Sequence, residues 1–142
     1  NFPYADMNDP CERGIEFNTS KPPLNNVDVR WALALATDIK SVSMATFGGM
    51  LRVSPIQVPP IDVLQQIYHK PMVNWLKTFQ LSDCYKPFDD SYASSMVSEL
   101  KQQGIEGLPS EDKAIDTFGV GWWKYDPVEA TKLLTKAGLK KR

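Results

Sequence analysis

Apolar residues in the segment 27–39 recur at helical spacing: Val29, Ala32, Leu33, Ala36 and Ile39 form one row, and Trp31 and Leu35 add a second apolar face. The pattern predicts a helix buried on most sides, with Asn26 as its N-cap and Asp28 in the first turn, where the helix dipole favours an anion. A shorter helical run at 42–46 leads into Gly48-Gly49. Pro55, Pro59 and Pro60 predict an extended crossing, after which 61–68 and 72–79 read as short helices separated by Pro71. Asp89 or Asp90 stands where a cap is needed for a helix with Tyr92, Met96, Val97 and Leu100 on one face, ending at Gly104. Ser110 stands at the same position for 111–118. Asp126-Pro127-Val128-Glu129 has the form of a capping box with proline at its favoured first position, and Ala130, Leu133, Leu134 and Ala137 continue the apolar stripe to Gly138.

Only Gly14-Ile15-Glu16-Phe17-Asn18 alternates as a strand does. The expected fold class is therefore α+β, a predominantly helical fragment with few strands: loop and strand over 1–26, mainly helix over 27–142, one piece throughout. A lone strand is unstable in water. It needs a partner outside the chain or a strand too weak to see, and this predicts a fragment of a larger α/β protein. The start at Asn1 without Met and the stop at Lys140-Lys141-Arg142 carry the same expectation.

Composition narrows the function classes. Lys and Arg number 16 against 17 Asp and Glu, a net charge of −1, so no basic field is present to hold nucleic acid. Asp38, Lys40, Arg52 and Asp62 interrupt the most apolar region, which predicts no membrane insertion of this segment. With two cysteines, Cys11 and Cys84, and a single histidine, His69, no metal site is expected; the cysteines read either as a disulfide or as two unrelated thiols. His69 lies between two predicted helices with no neighbouring nucleophile and reads as a surface residue, and Asp89-Asp90 read as caps rather than a catalytic pair. Phe47-Gly48-Gly49 and Gly119-Val120-Gly121 lack the residues of a phosphate loop and read as turns. No catalytic residue, no cofactor and no enzymatic activity are expected. Arg30 and Asp38, two helical turns apart, each need a separate partner.

Two segments carry a resemblance. Gly14-Ile15-Glu16-Phe17-Asn18 followed by the run from Lys21-Pro22-Pro23 through Arg30-Trp31-Ala32-Leu33-Ala34-Leu35-Ala36-Thr37-Asp38 resembles the strand, Pro-rich turn and Arg-Ala-rich helix of the family 5 solute-binding proteins of ABC transporters. Tyr125-Asp126-Pro127-Val128-Glu129-Ala130 through Leu133-Leu134-Thr135-Lys136-Ala137-Gly138 resembles that family's next landmark, in the same order. The resemblance implies a piece of one lobe, the second, of a two-lobed periplasmic-binding-protein-like (type II) α/β fold. It also implies a periplasmic or extracellular protein that captures an oligosaccharide or oligopeptide between lobes and delivers it to a membrane permease, with no chemistry on the ligand. The intervening segment of about 85 residues is long for a connection, and with Trp75 and the Gly-Trp-Trp-Lys-Tyr-Asp run it looks more like the oligosaccharide branch.

Recognition of a sugar or peptide calls for flat apolar faces beside a few directed polar groups. The candidate ligand-binding residues are Trp122, Trp123 and Asn18, with Trp31 in reserve. Each has a structural alternative: rings packed in the body for the tryptophans, a turn-forming side chain for Asn18. Successive side chains of an extended segment alternate sides, so one of Trp122 and Trp123 is expected in the core and the other exposed. An alternative function is a free-standing helical module that binds a protein through Trp122, Trp123 and nearby apolar surface.

Overall fold

A computed structural model describes residues 14–139. In chain order the elements are α1 (Val27–Leu35), α2 (Ile39–Phe47), α3 (Asp62–Leu64), a π-helical turn (Gln65–His69), α4 (Lys70–Thr78), β1 (Phe88–Asp89), α5 (Tyr92–Gln102), α6 (Glu111–Phe118), β2 (Trp122–Trp123) and α7 (Pro127–Lys136). The protein is α-rich with a two-stranded sheet of β1 and β2, an arrangement compatible with the α+β class. Its described residues divide into two compact units, one within Ile39–Trp122 and one joining the stretches on either side of it in sequence.

In the discontinuous unit, α1 packs on α7 and buries Val29, Ala32 and Leu35 with Ala130 and Leu133. The two helices run antiparallel: the Asp126 N–H donates to Leu35 O at 2.8 Å at one end, and Lys136 pairs with Asp28 at 2.9 Å at the other. The second contact sets a cation at the C-terminus of one helix beside an anion at the N-terminus of the other, the sense both dipoles favour. Asn26 caps α1 through Oδ1, which accepts from the Asp28 N–H, and Arg30 ties the preceding turn down by donating to Leu24 O. Asp126 caps α7 by accepting from the Glu129 N–H at 2.9 Å. Glu129 does not complete a capping box; its buried carboxylate pairs with Lys132 instead.

Three expectations are corrected here. Residues 14–18 form no strand and Ile15 is exposed: none of the described residues pairs with that segment, and an unpaired strand is unstable in water. Helix α1 is buried along one stripe only, with Leu33 and Ala36 exposed. It also ends four residues early: the Thr37 hydroxyl donates to Leu33 O, and Thr37 and Asp38 are poor helix-interior residues, so the next helix starts at Ile39 rather than 42.

The other unit is organised by the end of α6. A helix leaves its last carbonyls without internal partners, and here three donors from distant segments reach them. Gln65 Nε2 donates to Asp116 O at 3.1 Å, Arg52 Nε to Thr117 O at 3.2 Å, and the Val53 N–H to Phe118 O at 2.9 Å. Val53 and Gly119 form an isolated parallel bridge so close that a Cβ on Gly119 would collide with the Val53 backbone. Around this junction Val53, Tyr92, Ala93, Met96, Leu100, Ala114 and Phe118 form the core.

The same junction explains residues 62–78. The sequence pattern has Pro71 separating a pair of helices, yet the chain passes through it as one helical run. The turn before it is π-helical, with the Lys70 N–H donating five residues back to Gln65 O, and that wider turn accommodates a proline that an α-helical interior excludes. The turn also faces Gln65 and His69 inward. His69, expected at the surface, is fully buried with Nε2 3.0 Å from Val58 O. Asp89 and Asp90 do not cap α5 directly; Asp89 accepts from the Ser91 N–H and Asp90 pairs with Lys77.

Gly119→Ala should destabilise by more than ~3 kcal/mol, because it adds a backbone collision to a left-handed φ of 92°. Gly104→Ala, at φ 78° with open space around it, should cost only ~1–2 kcal/mol. Urea melts of both variants measure the difference, and equal losses would mean the Val53 contact is not close. In the other unit, Asp126→Ala should cost ~1 kcal/mol and Leu133→Ala ~2–5 kcal/mol. Negligible effects of both on thermal melting would show that α7 is undocked.

Candidate functional site

The tryptophans divide between the two units. Trp31, on α1, and Trp123, at the end of β2, meet edge to face with ring centroids 4.9 Å apart and planes at 76°. Edge-to-face contact suits the quadrupoles of the rings. Both are half-buried, and Tyr125, two residues on, is 56% exposed. Trp122 points the other way and packs against the core around Phe118. Its buried Nε1–H meets no acceptor among the described residues. The alternation expected of an extended pair therefore holds in direction, but neither ring is exposed, because each side of β2 has aromatic or aliphatic packing of its own.

Asn18 is exposed, and its Oδ1 accepts from the Ser20 N–H at 3.1 Å and the Ser20 hydroxyl at 2.6 Å. This is the local, turn-forming use of an asparagine. The structure thus brings Trp31 and Trp123 together with Tyr125 nearby in sequence, and leaves Asn18 in its own turn and Trp122 in a core.

Sequence reasoning missed a second surface. On the 62–78 run, Val63, Ile67, Tyr68 and Trp75 are between 49% and 63% exposed, with Pro71 and Met72 exposed beside them. The signal was a spacing of four, Val63, Ile67, Pro71 and Trp75, hidden by reading Pro71 as a break. A shallow pocket of about 380 Å³ also lies between α2 and α5, with Met44 and Met96 below Lys40, Ser95, Glu99 and Gln103. Lys40 already donates to Ser95 across it at 2.9 Å.

No cluster of metal-ligating side chains occurs among the described residues, and no described helix is long and apolar enough to cross a membrane. Cys84 is an exposed free thiol; Cys11, its suggested disulfide partner, lies outside the described residues. Among the described residues the one large proton-affinity change belongs to Tyr92, whose phenol is pushed up to about 12 by burial, against a lowering hydrogen bond with Ser43. Its hydroxyl donates to Leu51 O at 3.0 Å, so the group is a structural post between α5 and the segment after α2. No protein-family model, curated protein or solved structure matches the chain.

Tyr92 generates a pH prediction. A phenol ionising near 10 when unfolded and near 12 when folded gives stabilisation that is complete below pH 10 and is lost as pH rises through 12. Between those values the wild type should lose about 1.4 kcal/mol per pH unit more than Tyr92→Phe does. Chemical denaturation at stepped pH measures it, and parallel slopes would place Tyr92 in solvent.

Proposed function

We propose that this chain belongs to the substrate-binding component of an ABC importer, a protein that captures an oligosaccharide or oligopeptide outside the membrane and hands it to a permease without altering it. The observation that supports the reading is the composition of the discontinuous unit. The two stretches that resemble the solute-binding family are about 85 residues apart in sequence, and they pack on each other as α1 and α7, fastened at both ends by Asp126 with Leu35 and Lys136 with Asp28. The wall this unit contributes to a binding cleft carries Trp31, Trp123 and Tyr125, without Trp122, which packs in the other unit's core, or Asn18, which is held in its own turn.

A binding cleft closed by two lobes distributes its contacts over both, so one wall binds weakly. A second reading, a helical protein-interaction module, draws its support from the exposed face of 62–78 rather than from Trp122 and Trp123.

Titration of the chain with neutral oligosaccharides and with short peptides should change tryptophan emission for one of the two classes, with a dissociation constant of about a millimolar. Trp123→Ala should abolish the response while Trp75→Ala keeps it, and the ligand should be recovered unchanged. A response that survives Trp123→Ala, no response to either class, or a cleaved ligand would each reject the proposal.

A further inference from the structure

The helical run 62–78 buries Gln65, His69 and Leu76, two of them polar, while Val63, Ile67, Tyr68, Pro71, Met72 and Trp75 face solvent. The inward polar side has a cause, since Gln65 caps α6 and His69 meets Val58 O. The outward apolar side has none within the described residues. In a plain α-helix, positions four apart drift by about 40° per step, but the π turn places an extra residue in one turn and takes back some of that drift. Val63, Ile67, Pro71 and Trp75 consequently stay on one side of the run.

From their exposures these six residues present on the order of 600 Å² of apolar surface, the upper end of what monomers leave bare. The surface is convex, which a small ligand does not use. It also lacks the basic excess that draws a helix to an anionic membrane, because the charges around it are internally paired: Asp62 with Arg52, Lys70 with Asp116, Lys77 with Asp90. Its aromatic and thioether content is that of a protein interface.

We infer that this face docks on a second copy of the chain, the two 62–78 runs lying antiparallel about a two-fold axis near residue 69. That register sets Val63 of each copy against Trp75 of the other and Ile67 against Pro71, small opposite large at the ends. It brings Asp62, at one end of the run, beside the partner copy's end that carries Lys77, extending the intrachain pairs into a series of alternating sign, Arg52, Asp62, Lys77, Asp90. A parallel pairing would stack Asp62 on Asp62 and Lys77 on Lys77. Two such faces bury on the order of 1,200 Å² at most, the lower limit for a specific interface and the size of a weak, transient one. The inference is independent of the transport reading and uses none of its residues.

Sedimentation equilibrium of the chain should show a monomer of 16.0 kDa passing to twice that mass as the concentration is raised to about 1 mM. Ile67→Glu should weaken association at least tenfold with helical circular dichroism unchanged, and Asp62→Lys should weaken it in a way that adding Lys77→Asp restores. In a Cys11→Ser, Cys84→Ser background, oxidation of a mixture of Val63→Cys and Trp75→Cys chains should give a cross-linked pair that neither gives alone. A wild-type chain that stays monomeric, a dimer indifferent to Ile67→Glu, or efficient linking of Val63→Cys chains to one another would overturn it. So would a monomer that instead sediments with phosphatidylcholine vesicles.

Discussion

The end of α6 is where the Ile39–Trp122 unit is decided. Three backbone carbonyls that the helix itself cannot satisfy are met by a glutamine, an arginine and a backbone amide from three separate places in the chain. Burying such carbonyls unpaired costs ~1–3 kcal/mol each, so the donors are not interchangeable with apolar side chains of similar size. Arg52 does this with its side chain largely out of solvent, while its Nη1 also holds Pro60 O and Asp62. One guanidinium thereby fixes the extended crossing, the start of the 62–78 run and the end of α6. The requirement that polar atoms reach α6 is what turns Gln65 inward, and Val63, Ile67 and Trp75 are left facing out.

What could be read in the sequence was what is decided locally. The Asp126-Pro127 start of α7, the Asn26 cap of α1 and the apolar face of α5 depend on neighbours within a turn or two, and each stands as the pattern indicated. What was misread depends on distant partners. The alternation at 14–18 has the form of a strand but nothing among the described residues pairs with it, and His69 looked like a surface histidine because nothing near it in sequence names Val58 O as its partner. Pro71 was misjudged for a subtler reason: a proline breaks the α register, and the chain changes register instead of stopping.

The candidate aromatic site shows the same division. Alternation along β2 separates Trp122 from Trp123, and that much is intrinsic to extended backbone. Which ring would meet solvent was not legible, because the answer lies in Phe118 and its neighbours for one and in Trp31 for the other. Asn18 followed the simplest physics available to it and bonded to the residue two places on. Of the elements read at the two ends of the chain, the helices α1 and α7 do find each other, whereas the strand read ahead of α1 does not form.

Because one unit is made from two stretches flanking the other, the order of synthesis matters. Val29, Ala32 and Leu35 emerge about ninety residues before the helix that covers them, an interval of roughly 5–20 s at ordinary rates of elongation. During that time the whole Ile39–Trp122 unit can be completed, since every donor and acceptor at the end of α6 lies inside it. The nascent α1, nine residues long, is too short to hold its helix alone in water. It waits as a greasy, largely unstructured arm until α7, made so much later, gives it a shape.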